Sequence, residues 1–157
     1  MADYYDQISE GYDGLYLEEQ KKKLEIIAKY FKPKKVMLDL GAGTCICAMY
    51  FKIKTISVDP SAEMLSKGSG TKVKASAESL PFKDNTFSSM ICLTAIHHFD
   101  VDKAIEQIRR VVKKNSPIAI TLLKKSSKFD EIRKKILDSF KVKEYDCLND
   151  VAFIGKA

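Results

Sequence analysis

At 157 residues, 45% of them apolar and with no apolar run near the roughly 20 residues of a membrane span, the chain reads as one domain with a sizeable core. Its start, Met1 to Asp6, is acidic and unlike the basic, apolar leader of an exported protein, so a cytoplasmic protein is expected. A net charge of +6 permits an acidic or nucleic-acid partner without requiring one, and the four cysteines, none in a C-x-x-C pair, read as buried reduced thiols rather than zinc ligands or disulfides.

In chain order, Tyr4 to Asp13 is unusually rich in tyrosine and acids. Glu18 to Phe31 has helical spacing, with Leu24, Ile26, Ile27 and Tyr30 inward and Lys21, Lys22 and Lys23 in water. Lys32-Pro33 breaks it, so residues 1–32 are set off as an N-terminal segment before a core of residues 33–157. Val36 to Leu40 predicts a buried strand that enters the turn Gly41-Ala42-Gly43 and then a short helix ending near Phe51. Thr55 to Val58 predicts a second buried strand ending on Asp59-Pro60, with Ser61 as N-cap of a helix over Ala62 to Lys67. Lys72 to Ala75 and Ser88 to Leu93 are strands three and four; the chain's only histidines, His97 and His98, follow the fourth. Asp100 is placed to cap a helix over Val101 to Lys114, whose buried stripe is Ile105, Ile108 and Val112. Ile118 to Leu123 is strand five, Ser126 to Phe140 an amphipathic helix, and Lys141 to Ile154 a hairpin.

The chemistry concentrates where the first two strands end. In an open α/β sheet, ligands sit beyond the carboxyl ends of the strands, at the point where strand order reverses. Gly41 and Gly43 supply permissive φ and backbone without a Cβ. A dinucleotide fingerprint would need a third glycine where Ile46 stands, and no G-x-x-x-x-G-K-[ST] run exists for a P-loop. The pattern present is Asp39-x-Gly41-x-Gly43. A carboxylate just before the glycine turn would repel a pyrophosphate and suits a ligand with an ammonium group. The bland alternative is a tight strand-to-helix turn that binds nothing.

Asp39-x-Gly41-x-Gly43, with Asp59 ending the next strand, resembles motif I of the class I S-adenosylmethionine-dependent methyltransferases, and the chain is similar to their ubiquinone and menaquinone biosynthesis-like branch. The resemblance covers nearly the whole length. It implies a three-layer α-β-α Rossmann-like fold, with a mostly parallel seven-stranded sheet and an antiparallel C-terminal strand. It also implies that Asp39 holds the amino end of the methionine, Asp59 takes both ribose hydroxyls, and Pro60 packs on the adenine with Met64 nearby. Ser76, Ala77 and Glu78 fall in the stretch that meets the adenine amino group in that family. The implied cofactor set is Tyr12, Asp39, Leu40, Gly41, Ala42, Gly43, Asp59, Pro60, Met64, Ser76, Ala77, Glu78, Leu93 and His98. The tyrosine-rich start implies a lid over the cofactor, with Tyr12 and Tyr16 as contact candidates; an N-terminal helix that merely covers the sheet is the alternative. The chain departs from the family pattern in having Cys45 at a usual glycine, Ser76 and Ser88 at usual acids, and Asn115-Ser116-Pro117 for a Pro-Gly-Gly turn.

The function expected is methyl transfer from S-adenosylmethionine, releasing S-adenosylhomocysteine, to an unidentified acceptor that is a small molecule. His97 and His98 are the candidate catalytic bases for an acceptor that must lose a proton, with packing or shaping of the cofactor site as the alternative role. Leu93-Thr94-Ala95-Ile96 stands where enzymes that methylate exocyclic adenine amines or glutamine carry [Asp/Asn]-Pro-Pro-[Tyr/Phe], which argues against those acceptors. Two rivals remain. One is a tRNA or protein methyltransferase subunit that needs a partner, with Lys124, Lys125, Lys128, Arg133, Lys134 and Lys135 as the basic patch. The other is a catalytically silent relative that binds the cofactor or only a protein. No metal site is expected.

Overall fold

The structure, a computed structural model, describes residues 12–157, with side chains from residue 14 onward. Helix α1 (Tyr12–Ile27) leads into β1 (Met37–Leu40), α2 (Ile46–Phe51), β2 (Thr55–Asp59), α3 (Ala62–Ser66), β3 (Thr71–Lys74) and β4 (Ser89–Cys92). A single 3-10 turn (Ile96–His98) follows, then α4 (Val101–Val111), β5 (Pro117–Leu123), α5 (Phe129–Ser139), β6 (Lys141–Cys147) and β7 (Asp150–Lys156). The strands form one sheet in the order β3-β2-β1-β4-β5-β7-β6. All neighbours are parallel except β7, which runs antiparallel to both β5 and β6.

Strand alternation separates two cores. Leu38 and Leu40 of β1, Met90 and Cys92 of β4, and Ile118, Ile120 and Leu122 of β5 face Ile105 and Ile108 of α4 and Ile132 and Ile136 of α5. Met37, Ile91 and Ala119, from the opposite pleat, pack with Leu17, Leu24, Ile27 and Phe31 and with α2. The result is the expected α-β-α sandwich, with strand order reversing between β1 and β4, so the carboxyl ends of these two strands frame a crevice.

The predicted caps are present: Ser61 Oγ accepts from Met64 N at 3.2 Å, and Asp100 Oδ1 from Lys103 N at 3.3 Å. Helix α4 stops at Val111, three residues short of the sequence expectation, because the next residues pair instead with the segment that leads into β4: Val112 bridges Phe87, and Lys113 N donates to Phe87 O. Helix α5 starts at Phe129 rather than Ser126, whose hydroxyl and carbonyl accept from Lys128 N and Phe129 N in a preceding turn. Helix α1 is displaced further, starting by Tyr12 and ending at Ile27. Its inner stripe is Leu17, Gln20, Leu24 and Ile27, continued by Phe31. Tyr30, expected inward, lies beyond the helix, 51% exposed and stacked on Tyr145 with ring centroids 4.0 Å apart. Lys23, expected in water, is 2% exposed; the reason is an ion pair with buried Asp150 of β7, Nζ to Oδ1 at 3.2 Å.

Candidate functional site

The two leading carboxylates meet where the crevice opens. The N–H groups of Gly41 and Ala42 both donate to Val58 O, at 2.9 and 2.8 Å, which folds the glycine turn over the end of β2. Asp59 braces that turn: its Oδ2 accepts from Gly43 N and its Oδ1 from Ser61 N, each at 2.9 Å. Gly41 (φ +72°) is in the left-handed region, and a Cβ there would come within 2.5 Å of the Ala95 Cβ. Cys45, at the usual third glycine, is also left-handed (φ 66°) as N-cap of α2, and its side chain is buried beside Ala42 and Leu65. The turn that glycine would make is therefore made here by a cysteine.

Asp39 is 1% exposed, and its Oδ2 has no hydrogen-bond partner among the described residues. Burial pushes this carboxyl up to about 7; the charge of Asp59 adds to the rise and the Cys47 thiol opposes it. The Cys47 thiol is itself raised well above its ordinary value, first by burial and then by Asp39, and so stays protonated. A buried carboxylate lacking a counter-charge fits a ligand that carries an ammonium group into the crevice, and S-adenosylmethionine carries one.

The crevice is a cleft of about 320 Å³. Of the predicted residues, Asp39, Gly41, Ala42, Gly43, Asp59, Pro60, Met64, Leu93, His98 and Tyr16 line it. Leu40 is fully buried on the opposite face of β1. Ser76, Ala77 and Glu78 lie outside the lining: Ser76 bridges Ser79, Ala77 is buried in the core, and Glu78 Oε1 accepts from Asp100 N at 2.8 Å. His97 is also outside it, its ring 4.1 Å from that of His98; burial, then His98, lower its pKa below the usual imidazole value. The Tyr12 side chain and the proposed lid over Tyr4 to Gly11 fall outside the described residues.

Sequence reasoning missed the polar side of the cleft. Gln20 of α1 and Thr94, the latter left-handed at φ 51°, line it together. Thr94 Oγ1 donates to Asp150 Oδ2 (2.5 Å) and accepts from Lys23 Nζ (3.2 Å) and Gln20 Nε2 (3.4 Å), while Thr94 N donates to Thr121 Oγ1 (2.7 Å). The spacing of Leu17, Gln20, Leu24, Ile27 and Phe31 was the available signal, since it sets Gln20 within an apolar stripe.

The chain is similar to several known proteins. An uncharacterized protein of Methanocaldococcus jannaschii is 33% identical over 135 residues, which span 83% of this chain and 57% of that protein. The chain thus covers about half to three-fifths of the length of the first curated relatives it matches. An S-adenosylmethionine-dependent methyltransferase of Thermotoga maritima superposes with a TM-score of 0.70 at 18% identity, covering 99% of both chains. A Haloferax volcanii methyltransferase solved in complex with the Trm112 methyltransferase activator gives 0.74 at 14% identity, covering 98% of this chain and 97% of that one. The family model described as methyltransferase domain matches residues 38–120, from the aspartate strand through the histidine pair and into β5. With that match over more than half of the chain, including the glycine turn and both aspartates of the cleft, the chain belongs to the S-adenosylmethionine-dependent methyltransferase domain family.

Proposed function

We propose that the chain binds S-adenosylmethionine in the cleft and passes its methyl group to a small-molecule acceptor seated toward Gln20, Thr94 and His98. The observation that carries this reading is the buried carboxylate of Asp39, one oxygen unpartnered, beside the glycine turn that Asp59 braces. Bound there, the cofactor supplies an electrophilic methyl on a sulfonium sulfur. Asp39 would hold its ammonium group, the Gly41–Gly43 backbone would leave room for it, and Asp59 would keep lone pairs for the ribose hydroxyls. Methyl transfer needs alignment of the nucleophile and exclusion of water more than acid–base help. His98, exposed at the cleft, is placed to take a proton from an acceptor that must lose one.

A second reading, a subunit that works on tRNA or protein with an activating partner, is favoured by one observation: the Haloferax neighbour was solved bound to Trm112. The basic patch supports it less. Lys124, Arg133, Lys134 and Lys135 are each paired with a carboxylate, respectively Asp146, Glu144, Asp138, and Asp102 with Glu131.

The test is a thermal shift with S-adenosylhomocysteine on wild type and Asp59→Ala. At a hundredfold excess over Kd the ligand adds about 2.7 kcal/mol, a rise of roughly 5–10 °C for a domain of this size. Asp59→Ala is expected to abolish the rise. No shift of wild type at millimolar ligand overturns the reading for the isolated chain.

A further inference from the structure

We propose that Gln20 reads the methyl acceptor, and that the acceptor is a compound bringing an N–H or O–H to the cleft, an amine or hydroxyl compound rather than a carboxylate. The inference rests on the methyl-transfer reading above and names the acceptor class for the same site.

Gln20 is 2% exposed and forms cleft wall with Leu17 and Thr94. Its amide orientation is set by its neighbours. Lys23 Nζ, which can only donate, is committed to Asp150 Oδ1 and Thr94 Oγ1. The Thr94 hydroxyl proton goes to Asp150 Oδ2, so the Thr94 oxygen must accept from whatever Gln20 presents. Only Nε2 can donate to it; the reversed amide would set two oxygens together with no proton between them. Gln20 Oε1 is thereby turned away from the network, and it has no donor among the described residues. An unpaired buried carbonyl is destabilising, and a ligand N–H or O–H in the cleft would supply the missing bond.

Charge points to the same class. Among the described residues lining the cleft there is no lysine or arginine, whereas Asp39 and Asp59 both face it. Lys23, which bonds Thr94 behind the cleft wall, is neutralised by Asp150 and lies 3.8 Å from Glu19. With the cofactor seated on Asp39 and Asp59, a carboxylate acceptor would still find an orphan carbonyl oxygen and no lysine or arginine of the lining to hold it. A neutral amine or hydroxyl meets none of these penalties. In the transfer its lone pair forms the new bond to the methyl carbon, the sulfur–carbon pair stays with sulfur, and the N–H or O–H proton leaves to His98 or to water. A site built around such a hydrogen bond discriminates strongly against analogues without the donor, since they leave its buried group unpaired.

The experiment has two stages on the full chain. Calorimetry with S-adenosylhomocysteine comes first, on wild type and Gln20→Leu. Transfer from methyl-labelled S-adenosylmethionine is then followed against a library of common metabolites sorted into amines, hydroxyl compounds, thiols and carboxylates. Expected are turnover of amine or hydroxyl members only, S-adenosylhomocysteine affinity within twofold in both proteins, and a loss of at least tenfold in kcat/KM in Gln20→Leu. Gln20→Glu, which keeps an acceptor oxygen, is expected to retain more activity on amines than Gln20→Leu. Turnover confined to carboxylates or thiols, no turnover of any member by a wild type that binds S-adenosylhomocysteine, or an unchanged kcat/KM in Gln20→Leu each overturns the inference alone. Failure of wild type to bind S-adenosylhomocysteine overturns the methyl-transfer reading, and the inference with it.

Discussion

Asp39 puts a carboxyl where burial disfavours its charge. Its carboxyl, ordinarily at 3.8, titrates at about 7 in the folded chain because burial disfavours the anion. Between those two values the folded protein keeps a proton that the unfolded chain has lost. Through this group, stability therefore falls as pH rises from about 4 to about 7 and is level above. The full shift corresponds to about 4 kcal/mol. Asp39→Asn, whose amide stays neutral but retains a buried polar group, is expected to raise the stability of the ligand-free protein at pH 8 by about 2 kcal/mol, or roughly 4–8 °C in Tm. Binding has the opposite sign, because an ammonium ligand favours the ionised acid. The Kd for S-adenosylhomocysteine is expected to be about tenfold weaker at pH 6 than at pH 8, with close to one proton released on binding near pH 6. Calorimetry in two buffers of different ionisation enthalpy checks both figures, and in Asp39→Asn the pH dependence should flatten.

At the level of elements, α1 is held by a contact that local pattern does not reveal. The strands, their order along the chain, the glycine turn and the final hairpin were legible because each rests on short-range signals: apolar runs, Gly41 and Gly43, the caps Ser61 and Asp100. Lys23 was not, because a lysine beside Lys21 and Lys22 reads as a solvated face and its partner lies 127 residues further on. Gln20 and Thr94 escaped for the same reason, since their roles exist only once α1, the loop after β4 and β7 are brought together. The left-handed Cys45 shows the reverse case, a departure in residue type with no departure in backbone. Removing one member of the buried pair strands the other's charge, so Lys23→Met is expected to destabilise the chain by about 3–5 kcal/mol. Lys23→Met with Asp150→Asn should cost less than the sum of the two single changes. Denaturant midpoints across that double-mutant cycle test this coupling.

Taken whole, the molecule spreads its positive charge over a surface where acids answer much of it. Arg133 bonds Glu144 through Nε at 2.5 Å and Nη2 at 2.8 Å, and Lys135 sits between Asp102 and Glu131. Of the six basic residues of the patch, Lys124, Arg133, Lys134 and Lys135 are matched by acids, which leaves Lys125 and Lys128 to neutralise phosphates. RNA affinity is expected to depend on salt no more steeply than a log–log slope of about −2, lost by roughly 0.15 M; a steeper slope in filter binding would favour the tRNA reading. The buried Lys23–Asp150 pair also sets an order of events during synthesis. At a ribosomal pace of roughly 5–20 residues per second, Asp150 follows Lys23 by about 6–25 s. Through that interval α1 has no β7 to dock on, and Leu24, Ile27 and Phe31 lack the Ala152 and Ile154 that share their core. The nascent chain thus carries α1 as an open apolar surface until β7 emerges, and a chaperone that binds apolar segments would find its window there.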